Sequence, residues 1–285
     1  MNLRLKAELL LLLTAVIWGT AFVAQRAAAL QDSLFLFNAA RFLLGALVLL
    51  PFCGLRWRAG WRQWGAACLA GALLFVAGTL QQLGMHYTTA GNAGFLTSLY
   101  VVLVPVLLLA FWCQRPAPAA WAAVWLAVAG AYLLGTNGQG FVFRAGDALE
   151  LAGAVFWALH VIVVGKYAAG VATVPFAAAQ FAVCALLSLL VGWPVEGREW
   201  RGLSAVLISI FYTGILSVGL GYTLQVWAQR HTPPTEAALI LSLEAVTAVV
   251  AGWFFLQERL TFVQGAGCLL ILMGVVIVQL KNVRM

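Results

Sequence analysis

Long apolar runs, interrupted by short groups of charges, prolines and polar turn residues, dominate the chain. A helix that crosses a lipid bilayer needs about 20 mostly apolar residues. The runs have this length and lack the strict alternation of a transmembrane β-strand, so they predict helices. The ten predicted spans are Leu9 to Leu30, Leu34 to Leu55, Trp64 to His86, Ala90 to Trp112, Ala117 to Gly135, Gly146 to Lys166, Pro175 to Trp193, Leu203 to Ala228, Thr235 to Leu256 and Phe262 to Leu280.

The composition supports the same class of protein. Hydrophobic residues make up 64% of the 285 residues, charged residues make up 9%, and the mean hydropathy is +0.99. A soluble domain is about 45–50% apolar and about 25% charged, so a soluble globular protein is excluded. We expect an all-α integral membrane protein in a bacterial-type cytoplasmic membrane, with the lipid bilayer as its first partner.

The net charge of +7 is explained by membrane topology. No basic cluster is interleaved with aromatics in a solvated segment, so no nucleic-acid partner is expected. With both termini in the cytoplasm, ten Lys and Arg residues lie on the cytoplasmic side and five on the other, with Arg41 inside a span. This excess is the positive-inside pattern, and it predicts cytoplasmic termini.

The two halves of the chain resemble each other at nearly constant offsets of 144 and 139 residues. Related pairs include Thr79 and Thr223, Gln81 and Gln225, Ser98 and Ser242, Gly130 and Gly274, and, at the smaller offset, Trp18 and Trp157. Each half has five spans, and because five is odd the second half enters the membrane in the opposite orientation. We therefore predict two inverted five-helix repeats, residues 1–135 and 146–285, around a central cavity near the membrane midplane. A duplicated bundle without a transport role is the alternative.

Several motifs, taken together and in this order, resemble those of the EamA family of the drug/metabolite transporter superfamily. They are AVIWGTAF at 15–22, Arg41-Phe42, GNAGFL at 91–96 before Pro105, Gly146-Asp147 before Phe156-Trp157-Ala158, and ERLT at 258–261 before Gln264-Gly265 and Gly274. The resemblance covers essentially the whole chain. It implies a secondary transporter of ten helices in two repeats, usually an exporter of amino acids or related metabolites, and it leaves the substrate open.

Ionisable groups at membrane depth are costly unless they pair or face water, and they mark candidate sites. Glu244 falls near the centre of the ninth span and is the first candidate for a proton carrier or a contact to a substrate cation. The alternative is a protonated carboxyl that hydrogen-bonds a neighbouring helix. The offset of 144 places Tyr100 opposite Glu244 across the pseudo-two-fold axis. Arg41 either snorkels or pairs structurally, or it contacts substrate or couples transport.

Other polar and aromatic side chains complete the predicted cavity. His160 lies one helical turn after Trp157, where it is either a proton acceptor or a packing residue. Trp18 and Gln25 share a face of the first span. Amides that either line the cavity or bond neighbouring helices are Gln81, Asn92, Gln180 and Gln225. Asp147 and Glu236 are predicted as first-turn helix carboxylates, and Glu258 with Arg259 as an interfacial pair.

Several kinds of chemistry have no signature in the chain. None of the three lysines lies in a P-loop, which excludes ATP-driven pumping by this subunit. The three histidines are far apart and form no HExxH motif, so we expect no catalytic residues, no metal and no cofactor. The prediction is a secondary active transporter that exports a small amino acid, aromatic or amphipathic compound by alternating access, with possible proton coupling, as a monomer or homodimer. The alternatives are an importer of the same fold and an intramembrane enzyme.

Overall fold

The computed structural model describes residues 2–31, 34–54, 60–136, 145–197, 206–255 and 261–283, and every regular element in these ranges is helical. Within these ranges, nine helices are long and apolar enough to cross a membrane, and a shorter apolar stretch follows at Phe262–Val278. The ten helices are α1 Leu3–Ala29, α2 Leu34–Phe52, α3 Trp61–Tyr87, α4 Ala90–Trp112, α5 Pro118–Thr136, α6 Ala145–Tyr167, α7 Thr173–Val195, α8 Leu207–Ala228, α9 Pro234–Phe255 and α10 Phe262–Val283.

The sequence predicts the spans well, but two helices begin earlier than their apolar runs. Helix α1 begins at Leu3 rather than Leu9, because the Asn2 side chain caps it by accepting a hydrogen bond from the Arg4 amide at 3.2 Å. Helix α3 begins at Trp61 rather than Trp64, because the Gln63 side chain accepts a hydrogen bond from the Gly60 amide at 3.0 Å. Hydropathy reports the part of a helix that meets lipid, whereas capping decides where the helix starts. The predicted span ends at Leu55, Leu203 and Leu256 lie outside the described residues.

Two of the spanning helices are broken near their middles. Helix α4 consists of Ala90–Ser98 and Tyr100–Trp112, and α9 consists of Pro234–Leu241 and Leu243–Phe255. At each break a serine hydroxyl donates to a carbonyl three residues back, Ser98 to Phe95 and Ser242 to Leu239, both at 2.7 Å. Such side-chain hydrogen bonds compete with the helix ladder and bend it. The two bonds are related by the 144-residue offset.

The inverted repeat is visible in how helices from the two halves pack. Between α5 and α10, a Cβ on Gly130 would lie 2.5 Å from the Gly267 carbonyl oxygen. A Cβ on Gly274 would lie 2.7 Å from the Ala123 carbonyl oxygen. These two contacts are equivalent, because adding 144 to 130 and 123 gives 274 and 267. Small residues let helix backbones approach this closely inside a membrane.

The same symmetry arranges the remaining helices around a central space. Helix α2 packs against α7, α6 packs against α3 and α4, and α1 packs against α8 and α9 as the matching set. Within α8, Tyr212–Tyr222 is a π-helix, a wider form of helix that often marks functional sites. Large apolar side chains cover the outer surface, including Leu9, Leu12, Leu13 and Val16 along α1. The protein is thus a multi-pass membrane protein whose polar groups face inward.

Candidate functional site

A cavity lies between the two halves, at the level of the two helix breaks. Its lining comes from α1, α2, α3, α4, α6, α8 and α9, and includes Trp18, Phe22, Gln25, Arg41, Gln81, Thr97, Tyr100, Trp157, His160, Val161, Ser217, Tyr222, Gln225 and Glu244. The volume of this cavity is about 30 Å³, which is room for only a few water molecules. A bound solute therefore requires the walls to move apart.

Tyr222 is the centre of the aromatic part of the lining. Its ring lies 4.5 Å from the Trp18 ring and 6.1 Å from the Trp157 ring, the latter nearly parallel at 18°. The His160 ring meets it edge-on at 5.8 Å. Trp18 is held by its Nε1, which donates to the Ser217 carbonyl of the π-helix at 3.1 Å. Trp18 and Trp157, related by the 139-residue offset, thus flank one tyrosine.

Arg41 is a buried cation at the side of this cavity. It is 3% exposed, its Nη1 donates to Gln25 Oε1 at 2.6 Å, and its guanidinium lies over the Phe37 and Phe42 rings. Its Nε has no hydrogen-bond partner. Both ion pairs found in the described part of the chain involve Arg4, so no carboxylate there neutralises Arg41. A buried charge without a partner is costly, which marks this guanidinium as a place for an anionic group.

Tyr100 and Glu244 lie in the first turns of the second segments of the two broken helices. Both are buried, at 3% exposure each, and the Tyr100 hydroxyl lies within interaction range of the Glu244 carboxyl. Tyr100 Oη and Glu244 Oε1 each lack a hydrogen bond of good geometry. Tyr222 lines the same cavity and is close enough to both Arg41 and Glu244 to interact electrostatically with each. The cavity thus has a cation on α2 and an acid on α9.

The remaining predicted residues divide into two groups. Gln81 and Gln225 line the cavity; Gln81 donates to the Thr97 hydroxyl at 3.2 Å, whereas both polar atoms of the Gln225 side chain lack partners. Gln180 lies behind the wall, with its Oε1 3.0 Å from Nε2 of His160. Asn92 is absent from the lining and bonds Asp147 instead, because it lies in the first turn of α4 and not at the break. Whether any of these residues binds a solute stays a prediction.

At each of the two ends of the bundle a polar contact joins two helices, and the two contacts lie at equivalent positions of the two repeats. On one side Arg4 bridges Glu8 of its own helix and Glu236 of α9, with an Nη2–Oε2 distance of 2.6 Å. On the other, Asn92 Nδ2 donates to Asp147 Oδ1 at 3.1 Å, so α4 is tied to α6. Glu236 follows Asn92 by 144 residues, and Asp147 follows Glu8 by 139. The predicted first-turn positions of Asp147 and Glu236 are confirmed, whereas Glu258 and Arg259 lie outside the described residues.

Sequence reasoning missed four polar residues at this site. Tyr222, Thr97 and Ser217 line the cavity, and Glu150 is buried directly behind Thr97, which donates to it at 3.1 Å. Glu150 had the same signal as Glu244, an acid inside an apolar span. Tyr222 had no such signal, because its counterpart at the 144-residue offset is Gly78.

The fold and the cavity define a class of protein: a polytopic membrane protein with inverted repeats and an internal polar site between them. The profile of the EamA-like transporter family matches residues 5–136 and 144–280. The chain belongs to the EamA-like transporter family.

Relatives and a solved structure agree with this assignment. An uncharacterized transporter of Archaeoglobus fulgidus is 34% identical over 98% of this chain and 87% of its own length. The threonine/homoserine exporter RhtA of Escherichia coli strain K12 is 30% identical over 56% of this chain and 54% of its own length. A solved crystal structure has the same fold, with a TM-score of 0.81, 98% of each chain covered and 21% identity.

Proposed function

We propose that the protein is a secondary active transporter that exports a small zwitterionic metabolite, an amino acid in the first instance, by alternating access. The observation that carries this proposal is the pair of unneutralised groups in one cavity. Arg41 offers a cation at one wall, Glu244 offers an acid at another, and Tyr222 lines the same cavity. An amino acid has an anionic and a cationic group on one carbon and meets both walls.

The proposed contacts follow from the chemistry of the two side chains. The free Nε edge of Arg41 suits a carboxylate, because a guanidinium binds carboxylates in a planar, directional way. The Glu244 carboxyl suits the ammonium group, either as an ion pair or by exchanging a proton for it. Gln225 and Trp157 add polar atoms without partners at the same cavity wall.

Two polar contacts between helices, one at each end of the bundle, support alternating access. The Arg4–Glu236 contact joins α1 to α9, and the Asn92–Asp147 contact joins α4 to α6. Each contact is a place at which the bundle would part to admit a solute from one side. Because the repeats are inverted, opening one side and closing the other is a single rocking motion of one half against the other.

The amino-acid class is also supported by the name of a relative. RhtA is described as a threonine/homoserine exporter, and it aligns with little more than half of this chain. The aromatic walls formed by Trp18, Trp157 and Tyr222 favour a second candidate class, aromatic or amphipathic compounds. Direction is proposed as export, with import as the alternative.

Reconstitution into liposomes tests the proposal. Counterflow of radiolabelled threonine, homoserine and aromatic amino acids would be measured beside organic cations, with and without a pH gradient. We expect saturable, trans-accelerated flux of a zwitterion and none of its amide or N-acetyl analogue. Flux of organic cations with no response to amino acids would contradict the proposed substrate class, and flux that is not trans-accelerated would contradict a carrier.

Three finer points are part of the proposal. We propose repeats at 1–135 and 146–285, both termini in the cytoplasm, and one cavity per chain, whether the protein is a monomer or a homodimer. Reporter fusions at each terminus test the orientation, because a cytoplasmic and an external reporter give opposite signals.

A further inference from the structure

Glu150 is a second buried acid, which lies outside the lining of the cavity. It belongs to α6, is fully buried, and packs against Gly84 of α3, where a Cβ would lie 2.8 Å from its Oε1. Its Oε2 accepts from the Thr97 hydroxyl at 3.1 Å, whereas its Oε1 has no hydrogen-bond partner. No cation in the described ranges forms an ion pair with it.

A charged carboxylate in this position has one hydrogen bond and no counter-charge, which is costly inside a membrane. The neutral, protonated form removes that cost. The unpartnered Oε1 is the oxygen available to hold the proton, because Thr97 already donates to Oε2. A position that favours a bound proton, and has no cation to fix its charge, is suited to gaining and losing one proton.

Glu150 is connected to the cavity through one hydroxyl. Thr97 lines the cavity, accepts from Gln81 at 3.2 Å and donates to Glu150. A hydroxyl both donates and accepts, so rotation of the Thr97 hydroxyl passes a proton between Glu150 and a cavity group. For the proton to leave, the Glu150 carboxyl turns so that the oxygen that carries the proton faces Thr97 Oγ1. Thr97 Oγ1 accepts this proton and gives its own hydroxyl proton to water in the cavity, which becomes hydronium while Glu150 becomes a carboxylate, so that the charge balances.

Glu150 also points toward one side of the membrane. Asp147 lies one turn earlier on α6, and its Oδ1 accepts from Thr88 at 3.0 Å and from Asn92 at 3.1 Å. Asn92 is half-buried, in the first turn of α4. With cytoplasmic termini, this is the external side. The order from outside to cavity is therefore Asp147, Glu150, Thr97.

Few other titratable or charged groups surround this path. On α3, His86 bonds the Ala29 carbonyl, and on α1, Arg26 donates to the carbonyls of Met85 and His86. On α4, the nearest titratable side chain is Tyr100 at the cavity, and on α9 it is Glu244. Asp147 is the ionisable group that acts electrostatically on Glu150 from its own helix.

We propose that Glu150 is a proton-binding site of the transporter, which exchanges protons with the external side through Asp147 and with the cavity through Thr97. The inference rests on the proposed transport function but assigns the proton to a residue outside the solute site. Glu150 has no acidic counterpart in the other repeat, where Leu11 occupies the position related by 139 residues.

The test compares two modes of transport by the same liposomes. Counterflow exchanges solute for solute without net proton movement, whereas accumulation against a gradient requires the proton. A carrier coupled to one proton accumulates solute about tenfold for one pH unit across the membrane, since one unit is worth about 1.36 kcal/mol. In Glu150→Gln we expect this ratio to fall to about one while counterflow remains measurable, because Gln keeps the shape and the hydrogen bond to Thr97 but cannot release a proton.

Substitutions of Thr97 test the same proton path independently if Glu150→Gln does not fold. Thr97→Val removes the hydroxyl at nearly constant shape, and Thr97→Ser retains it, so we expect driven accumulation relative to counterflow to fall in the first variant and to hold in the second. Glu150→Gln with wild-type accumulation and wild-type solute-evoked proton flux would overturn the proposal. Loss of counterflow and accumulation together in a folded Glu150→Gln protein would also overturn it, in favour of a structural role. Wild-type protein that performs counterflow but accumulates no solute in response to a pH gradient would overturn the proton site and leave the proposed carrier standing. Wild-type protein that moves no solute in either mode would overturn the carrier.

Discussion

Replacing Arg41 with Gln should remove the carboxylate subsite while leaving a polar side chain against Gln25. A guanidinium edge makes charge-assisted hydrogen bonds of about 1.5–3 kcal/mol each. Arg41 Nε lacks a partner and Nη1 is occupied by Gln25 at 2.6 Å, so one or two such bonds are available to a solute. A loss of about 3 kcal/mol is about a 100-fold rise in KM, since 1.4 kcal/mol is a factor of ten.

The assay compares an amino acid with an analogue of it, in both the wild-type protein and the Arg41 variant. Competition by an amino acid and by its amide, which lacks the carboxylate charge, would be measured in wild type and in Arg41→Gln. We expect wild type to prefer the acid by about 100-fold and Arg41→Gln to treat the two alike, because the group that distinguishes them is gone. Arg41→Lys should fall between, since it keeps the charge but not the planar fork. Arg62→Gln, at an exposed arginine stacked on Trp61, is the matched control. An undiminished preference for the acid in Arg41→Gln would refute the role of Arg41.

Three further predictions concern other parts of the molecule. Glu244→Gln should abolish driven transport and leave the thermal unfolding midpoint in detergent within a few degrees of wild type; unchanged driven transport would remove Glu244 from the mechanism. Gly130→Ala should lower that midpoint, because the added Cβ would lie 2.5 Å from a backbone oxygen and such overpacking costs about 1–3 kcal/mol. The control is Gly265→Ala, which has open space around it and should leave the midpoint unchanged. Equal midpoints of the two variants would argue against the close contact between α5 and α10. Arg4→Gln breaks the contact to Glu236 and should alter the ratio of the KM values measured from the two sides of the membrane. The unfolding midpoint should change little, because a part-exposed ion pair is worth about 0–1 kcal/mol. An unaltered KM ratio would mean that this contact does not gate access.

The sequence predicts the helices because a bilayer requires about 20 apolar residues for each span. The apolar runs of this chain have that length and do not alternate as β-strands would. It does not predict the breaks in α4 and α9, since Ser98 and Ser242 are common helix residues whose effect depends on a hydrogen bond to the preceding turn. It also does not predict the π-helix of α8, which depends on packing against α1 and α2.

The candidate site follows from the sequence to a similar extent. Glu244, Arg41 and His160 stand out because each is polar inside an apolar run, and the constant offset brings Tyr100 to Glu244. Asn92 has the same polarity but lies in the first turn of its helix, where it bonds Asp147. Polarity therefore identifies buried groups, whereas depth along the helix decides whether they face the cavity.

The backbone contact between α5 and α10 has a consequence for the energetics of the transport cycle. Gly130 with Gly267 and Gly274 with Ala123 are equivalent contacts, so a rocking motion that loosens one resembles, by symmetry, the motion that loosens the other. A molecule with identical halves would have two open states of equal free energy. The free-energy difference between the states, and hence the resting orientation, is then set by the positions at which the halves differ. Tyr100 against Glu244, and Asn92 against Glu236, are such positions.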